Sequence, residues 1–109
     1  MDIDVQYPEP GSAVIHPVGR LNMVAAPQLR ELIAATVKDG STRIAVDLAD
    51  TEFIDSSGLG ALISGLKAAR TAGGDLRIAR PSPQVVTVLS LTNLDRVLRP
   101  YDSVAEGLA

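Results

Sequence analysis

The sequence contains no cysteine and no tryptophan, and only 3% of its 109 residues are aromatic. The absence of cysteine excludes disulfide bonds, thiolate zinc sites and thiol catalysis. With one phenylalanine and two tyrosines, the core must be built mainly from leucine, isoleucine, valine and alanine. Such a core gains about 25 cal/mol for each Å² of apolar surface that is removed from water.

No apolar run approaches the ~20 residues that a helix needs to span a bilayer. The first residues are acidic and alternate with apolar ones, unlike the basic and then apolar arrangement of a secretory signal. The length suits one modest core and is too short for two. We therefore expect one soluble, cytoplasmic domain over residues 1–109 that does not contact a membrane.

Excess basic charge is also lacking, because 10 lysine and arginine side chains face 13 acidic ones, giving a net charge of -3. This balance argues against nucleic acid as a partner. Within residues 56–100, however, six basic side chains outnumber two acidic ones. The six are Lys67, Arg70, Arg77, Arg80, Arg96 and Arg99. They form no run, so the sequence predicts that they are solvated surface residues.

The middle of the chain changes from the period of a strand to that of a helix. Apolar residues alternate from position 44 to 48, which predicts a strand, and recur at helical spacing from 59 to 66, which predicts a helix. Asp55, Ser56 and Ser57 lie where this helix begins. Small oxygen-bearing side chains at such a position satisfy the free N–H groups of the first turn. We expect a polar turn there that exposes two hydroxyl groups and carries the function.

The residues around this turn have a more specific pattern than a helix cap. The string Phe53-Ile54-Asp55-Ser56-Ser57-Gly58-Leu59-Gly60 resembles the signature of bacterial anti-sigma factor antagonists, the founding group of the STAS domain family. Gly19-Arg20-Leu21-Asn22 is similar to the family's segment before the first helix. Ala72-Gly73-Gly74 is similar to its turn after the second helix. The resemblance therefore extends over nearly the whole chain.

The resemblance implies a regulatory protein that is not an enzyme and uses no cofactor or metal. In the family, the first serine after the aspartate accepts a phosphate from a partner kinase. That residue is Ser56 here, with Ser57 as a cap or a fallback acceptor. The unmodified protein would bind an anti-sigma factor of the ATP-binding serine kinase type and free the sigma factor. Phosphorylation would release it, and a serine phosphatase would restore it.

A contact surface for the partner is implied around the same turn, and it is formed by Asn22, Asp55, Ser57, Gly58 and Leu59. Gly58 would allow a close approach of backbone, since it has no side chain. The family usually has aspartate at the position of Asn22. Asparagine keeps the shape and the hydrogen-bonding capacity of that side chain but removes its negative charge.

The remaining periodicity predicts an α/β fold, which agrees with the STAS-type domain that the resemblance implies. We expect a mixed, mostly parallel sheet of four to five strands, with an antiparallel N-terminal hairpin, packed with helices. The expected strands are at residues 3–7, 13–18, 44–48, 76–79 and 96–99. A first helix is expected from Pro27 to Asp39, a third after the cap Ser82, and a last short one after the cap Asp102.

Two other classes of function stay open. One is a STAS scaffold subunit of a stress-signalling assembly. The other is a small nucleotide-binding or hydrolytic protein that uses the Ser56 turn. A hydrolase would need a base, and His16 is the only histidine. Gly58-Leu59-Gly60 begins like a dinucleotide fingerprint, but Ile63 occupies its third small position.

A carboxylate cluster precedes the turn and would attract a hard cation if its members converged. It comprises Asp47, Asp50, Glu52 and Asp55. The spacing is not that of a calcium-binding EF-hand loop, and such residues commonly line the solvated end of a strand. We therefore expect no metal site.

Overall fold

A computed structural model describes all of residues 1–109. Its strands are β1 (Asp2–Gln6), β2 (Ser12–Leu21), β3 (Arg43–Asp47), β4 (Thr51–Ile54), β5 (Asp75–Ala79) and β6 (Pro100–Tyr101). Its helices are α1 (Ala26–Lys38), α2 (Ser56–Thr71), α3 (Pro83–Leu91) and α4 (Val104–Leu108), with a 3₁₀ turn at Leu94–Arg96. None of the helices combines the length and the apolar character that crossing a lipid bilayer requires.

The strands form one mixed sheet in the order β1-β2-β3-β5-β6, and β4 pairs separately with β2. Only the β1–β2 hairpin is antiparallel. The predicted fold class, a mixed and mostly parallel sheet with an N-terminal hairpin and packed helices, is therefore confirmed. The sheet has six strands, more than the four to five that we predicted.

The long strand β2 changes partner along its length. Its first residues pair with β3, and its last ones, from Gly19 onward, pair with β4. Pro17 lies between these two pairings, where neither β3 nor β4 is paired with β2. The N–H that proline lacks is therefore not needed there for either strand. Gly19 adopts a φ of 111°, and the register shifts just after it. Strand β2 is therefore an interior strand, and the proline lies where it changes partner.

Strand β4 was not predicted as a strand. We predicted no element between residue 48 and the polar turn at Asp55, because Thr51–Ile54 is too short to show a clear alternation. Pairing with β2 makes this segment extended, and the Thr51 hydroxyl donates a hydrogen bond to the Pro17 carbonyl at 2.9 Å. The tertiary partner therefore decides the conformation of this segment.

The end of the chain also differs from the prediction. Residues 96–99 are not a strand, because the N–H groups of Val97 and Leu98 both donate to the Leu94 carbonyl in a tight turn. The last strand is instead β6. The cap of α4 is Ser103, whose hydroxyl accepts the Glu106 N–H at 3.1 Å, and not Asp102.

Helices cover both faces of the sheet. The main core contains 21 buried residues, and the β3 residues Ile44 and Val46 join it with the buried faces of α1 and α2. Ala45 points to the opposite face, because side chains alternate along a strand. Gly107 of α4 lies close to it there, since a Cβ on this glycine would be 3.7 Å from that of Ala45. This arrangement leaves the ends of the sheet for the functional turn.

An ion pair between a buried carboxylate, Asp47, and a half-exposed guanidinium, Arg80, joins β3 to the residue after β5. The carboxylate of Asp47 accepts hydrogen bonds from Arg80 Nε at 3.1 Å and from the Ala49 N–H at 3.1 Å. Burial alone would raise the pKa of Asp47, but these hydrogen bonds and the charge of Arg80 outweigh it and hold the pKa below its usual value. Arg80 has a φ of 52°, unusual for a residue with a side chain. The pair therefore fixes the conformation of the chain after β5.

We expect Asp47→Asn to lower the urea midpoint of unfolding at pH 7, because a neutral amide does not pair with the Arg80 guanidinium as a carboxylate does. The pKa of this aspartate is lower in the folded chain than the value of about 3.9 in the unfolded chain. Its stabilisation is therefore complete above that value and is lost as the pH falls through the folded-state pKa.

The difference in unfolding midpoint between wild type and Asp47→Asn should consequently shrink as the pH falls below about 3.9. Asp2→Asn removes an exposed carboxylate of the edge strand and serves as the control. A difference for Asp47→Asn that does not depend on pH would contradict the prediction.

Candidate functional site

The turn between β4 and α2 places a serine hydroxyl at the surface. Ser56 is the first residue of α2 and is exposed, whereas Ser57 is half-buried. The hydroxyl of Ser56 takes no part in the side-chain hydrogen bonds that hold the turn together. It is therefore accessible to another protein. Ser57, which we had considered as a cap, does not cap the helix, because that role belongs to Asp55.

Asp55 connects two separate segments through its carboxylate. Its Oδ1 accepts the Gly58 N–H at 2.9 Å, which caps α2. Its Oδ2 accepts the Met23 N–H at 3.1 Å, which holds the loop between β2 and α1. The N–H of Asp55 itself donates to the Leu21 carbonyl at 3.3 Å. The beginning of α2 and the β2–α1 loop therefore form one surface.

Gly58 and Leu59 position this turn from the inside. A Cβ on Gly58 would lie 2.3 Å from the Leu21 carbonyl oxygen and 2.8 Å from the Ile54 side chain. Leu59 is only 3% exposed and belongs to the core. The close backbone approach that we expected at Gly58 is therefore an approach to Leu21 of the same chain, and not to a partner. Neither residue presents a side chain to a partner, so their expected part in a contact surface is reduced to holding the turn in place.

Asn22 shapes the loop that Asp55 holds. Its Oδ1 accepts the N–H groups of Val24 at 3.1 Å and Ala25 at 3.2 Å, as expected for a turn residue. The residue before α1, Ala25, makes no side-chain cap, so Asn22 is the side chain that orders the entry into this helix. An aspartate would accept the same two bonds. The asparagine therefore preserves the geometry of the loop and removes one negative charge near Ser56.

Two exposed apolar side chains beside this turn were missed in the sequence. Met23 is 71% exposed and Val24 is 84% exposed, and the Met23 N–H binds Asp55. We call these two residues the apolar loop patch. The available signal was a pair of large apolar residues inside a predicted loop, where polar residues are usual. A shallow groove lined partly by Val18, Asn22 and Val24 continues this surface.

The histidine and two of the carboxylates considered as candidate site residues have partners away from the Ser56 hydroxyl. His16 Nε2 lies 2.8 Å from Asp50 Oδ2, and no hydrogen bond joins this imidazole to Ser56. The predicted carboxylate cluster is dispersed, since Asp47 pairs with Arg80 and Asp55 caps α2. No group of three or more acidic or histidine side chains lies close enough to hold a metal ion.

The turn does have the features of an anion site. The first hydrogen bond of α2 runs from the Leu59 N–H to the Asp55 carbonyl at 3.0 Å. The N–H groups of Ser56 and Ser57 precede it, so they have no partner within the helix. The N-terminal end of a 16-residue helix also carries partial positive charge. A negative group attached to Ser56 would therefore be stabilised by the helix.

Comparison with known proteins agrees with this arrangement. Residues 4–107 match the family model of the STAS domain. A protein of Thermotoga neapolitana, described as a homologue of a candidate anti-sigma factor antagonist, is 41% identical over 69 residues. These residues are 63% of this chain and 61% of that protein, so the match spans less than two thirds of the relative.

Solved structures share the fold. The crystal structure of a candidate anti-sigma factor antagonist from Thermotoga maritima has a TM-score of 0.87 and 30% identity, and the match covers 95% of this chain and 89% of that one. The anti-sigma factor antagonist SpoIIAA in its unphosphorylated form has a TM-score of 0.83 at 24% identity, covering 96% and 91%. Phosphorylated SpoIIAA of Bacillus has a TM-score of 0.75 at 22% identity, covering 96% and 95%. Because the two SpoIIAA structures are less than 25% identical to this chain, they establish a shared fold and nothing more.

We expect Gly58→Ala to destabilise the protein by about 1–3 kcal/mol or more, because the added methyl group collides with the backbone of Leu21. Gly60→Ala is the matched control in the same helix, since its Cβ would meet only Arg30, at 3.7 Å. This control should gain about 0.5–1 kcal/mol from its higher helix propensity. Urea unfolding measures both effects, and equal effects of the two substitutions would contradict the packing described here.

Proposed function

The chain belongs to the STAS domain family, and on this premise we propose that it is an anti-sigma factor antagonist that phosphorylation of Ser56 switches off. The unmodified protein binds an anti-sigma factor of the ATP-binding serine kinase type, which frees a sigma factor for transcription. Phosphorylation by that kinase releases the protein, and a serine phosphatase makes it competent again. In this scheme the ATP belongs to the kinase, and the chain itself catalyses nothing.

The observation that carries the proposal is the exposed Ser56 hydroxyl at the N-terminus of α2, beside the apolar loop patch. In the modification, the Ser56 oxygen attacks the γ-phosphorus of ATP bound to the kinase. A new O–P bond forms, ADP leaves, and the hydroxyl proton passes to the kinase. Nothing around Ser56 has to unfold for this reaction, because its side chain already points to the surface.

The fold tolerates the added phosphate. Phosphorylation adds about -1.5 to -2 charges at pH 7. The free N–H groups of Ser56 and Ser57 and the positive end of α2 offset this charge. Asn22 helps further, because a neutral amide near Ser56 does not repel the phosphate as an aspartate would. The modified protein should therefore keep the structure of the unmodified one.

The interface with the partner does not tolerate the phosphate in the same way. A partner surface that fits a small hydroxyl and the apolar loop patch would have to bury a bulky dianion. The charge must lose its hydration, and it repels any carboxylate across the interface. A loss of about 3–4 kcal/mol lowers the affinity by roughly two to three orders of magnitude. Dissociation is therefore the expected consequence.

We predict that incubation with the cognate kinase and ATP adds one phosphate, and that mass spectrometry locates it on Ser56. Binding to the kinase, measured by calorimetry, should then weaken about 100- to 1000-fold. Ser56→Ala should bind without responding to ATP, and Ser56→Asp should bind at least about tenfold more weakly than the unmodified protein, because it carries a single charge.

Ser57→Ala is the matched control, and it should still be phosphorylated on Ser56. Equally tight binding of Ser56→Ala and Ser56→Asp would rule out release by charge. Size-exclusion chromatography of the unmodified protein completes the test, since a large assembly would favour the scaffold interpretation over partner exchange.

We also predict that Val24→Asp weakens binding to the kinase by about tenfold or more, because it replaces the more exposed side chain of the apolar loop patch with a charge. Leu91→Asp is the control, because the exposure of Leu91, 79%, is similar to the 84% of Val24. Leu91 is the last residue of α3, whereas Gln84, near the start of that helix, is the residue that bonds to β4 through the Ile54 N–H. That control should bind within about twofold of wild type. Comparable losses for both variants would show that the patch is not the contact surface.

A further inference from the structure

Four arginines meet in one cleft at the β5–β6 edge of the sheet. The cleft has a volume of about 170 Å³, many times the 10–15 Å³ that one water molecule requires. Its arginines come from four segments: the end of α2, strand β5, the 3₁₀ turn and the segment before β6. They are Arg70, Arg77, Arg96 and Arg99. In the sequence they appeared as scattered surface residues, and the fold brings them together.

The cleft contains too little negative charge to neutralise its four arginines. Asp75 is its single carboxylate, and it is shared by Arg70 Nε at 3.1 Å and Arg77 Nε at 3.4 Å. Burial alone would raise the pKa of Asp75, but hydrogen bonds from Arg70 and from its own strand lower it, so the carboxylate is ionised at neutral pH. Arg96 and Arg99 form no ion pair with any residue of the chain.

The guanidinium groups of the cleft are partly preorganised. Arg77 lies over the Tyr101 ring, with Cζ 5.4 Å from the ring centroid, and also donates to the Ala109 backbone oxygen at 2.8 Å. The terminal nitrogens of Arg70 remain free, because only its Nε contacts Asp75. Like charges held close together repel each other, and an anion between them removes that cost. The cleft is therefore complementary to a compact group with several negative charges.

We propose that this cleft binds a small anion that carries two adjacent phosphate groups, as inorganic pyrophosphate and nucleoside diphosphates do. Guanidinium groups form paired hydrogen bonds to phosphate oxygens, and Arg96, Arg99 and the terminal nitrogens of Arg70 are available for them. A single phosphate would satisfy fewer of these donors than two linked ones.

The size and lining of the cleft favour a small anion over an acidic protein segment. A stable protein interface needs buried apolar anchors in addition to charge. The lining offers Val97, which is 42% exposed, and the side of the Tyr101 ring that Arg77 does not cover. The donors converge on one concave space, which suits a compact ligand.

The proposed anion site is separate from the Ser56 turn. Arg70 is 14 residues after Ser56 in the same helix, and a rise of 1.5 Å per residue places them about 21 Å apart along its axis. The site does not depend on the function proposed above. Ser56→Ala should therefore leave the binding of the anion unchanged.

The test is calorimetry at low ionic strength with three ligands, inorganic pyrophosphate, ADP and inorganic phosphate, combined with amide chemical shifts by NMR. Pyrophosphate should saturate one site, bind at least about tenfold more tightly than phosphate, and shift the amides of residues 96–99 and 101. Equal affinities for pyrophosphate and ADP would identify the two phosphates as the recognised group. A higher affinity for ADP would identify a nucleotide as the ligand.

Arg96→Gln/Arg99→Gln should weaken pyrophosphate binding by about tenfold or more, and it should not lower the stability of the fold, because these two exposed side chains form no hydrogen bond or ion pair. Arg30→Gln/Lys38→Gln removes the same charge from exposed positions of α1 and should change the affinity less than about twofold. The proposal is overturned by equal losses in the two double variants, by no saturable pyrophosphate binding, or by a polyglutamate peptide that binds the cleft where pyrophosphate does not.

Discussion

The candidate site depends on a single carboxylate that is bound from two directions. Asp55 accepts the Gly58 N–H and the Met23 N–H, so the beginning of α2 and the β2–α1 loop hold a fixed relative position. This geometry exposes the Ser56 hydroxyl next to the apolar loop patch. Gly58 makes the arrangement possible, because any larger residue would push α2 away from the Leu21 carbonyl.

The change of partner along β2 brings these segments together. After pairing with β3, this strand passes Pro17 and the bend at Gly19 and then pairs with β4. Strand β4 leads directly into Asp55, and the end of β2 leads directly into Asn22. Two parallel neighbours thus deliver both halves of the surface to the same end of the sheet. The Asp55 carboxylate and N–H then form hydrogen bonds across the gap, to the Met23 N–H and the Leu21 carbonyl.

Charge is distributed between the two ends of α2 in a way that suits different partners. The N-terminal end offers a neutral hydroxyl, an aspartate and free N–H groups, where a new negative charge alters docking without unfolding the helix. The C-terminal end lies at the cleft of four arginines, where we propose that a small diphosphate anion binds. Ser56 and Arg70 lie on the same helix. Phosphorylation of the serine and binding of an anion at the arginines would therefore change the charge at opposite ends of one element.

The sequence by itself determined the fold class, the hairpin, the strand-to-helix turn and the exposed position of Ser56, because these depend on local periodicity and on caps. The tertiary structure alone decided that Thr51–Ile54 is a strand, that Gly58 and Leu59 are internal, and that Met23 and Val24 lie beside the serine. It also decided that scattered arginines share one cleft. The physical reason is that each of these features depends on contacts between segments distant in the chain, and local patterns carry no information about such contacts.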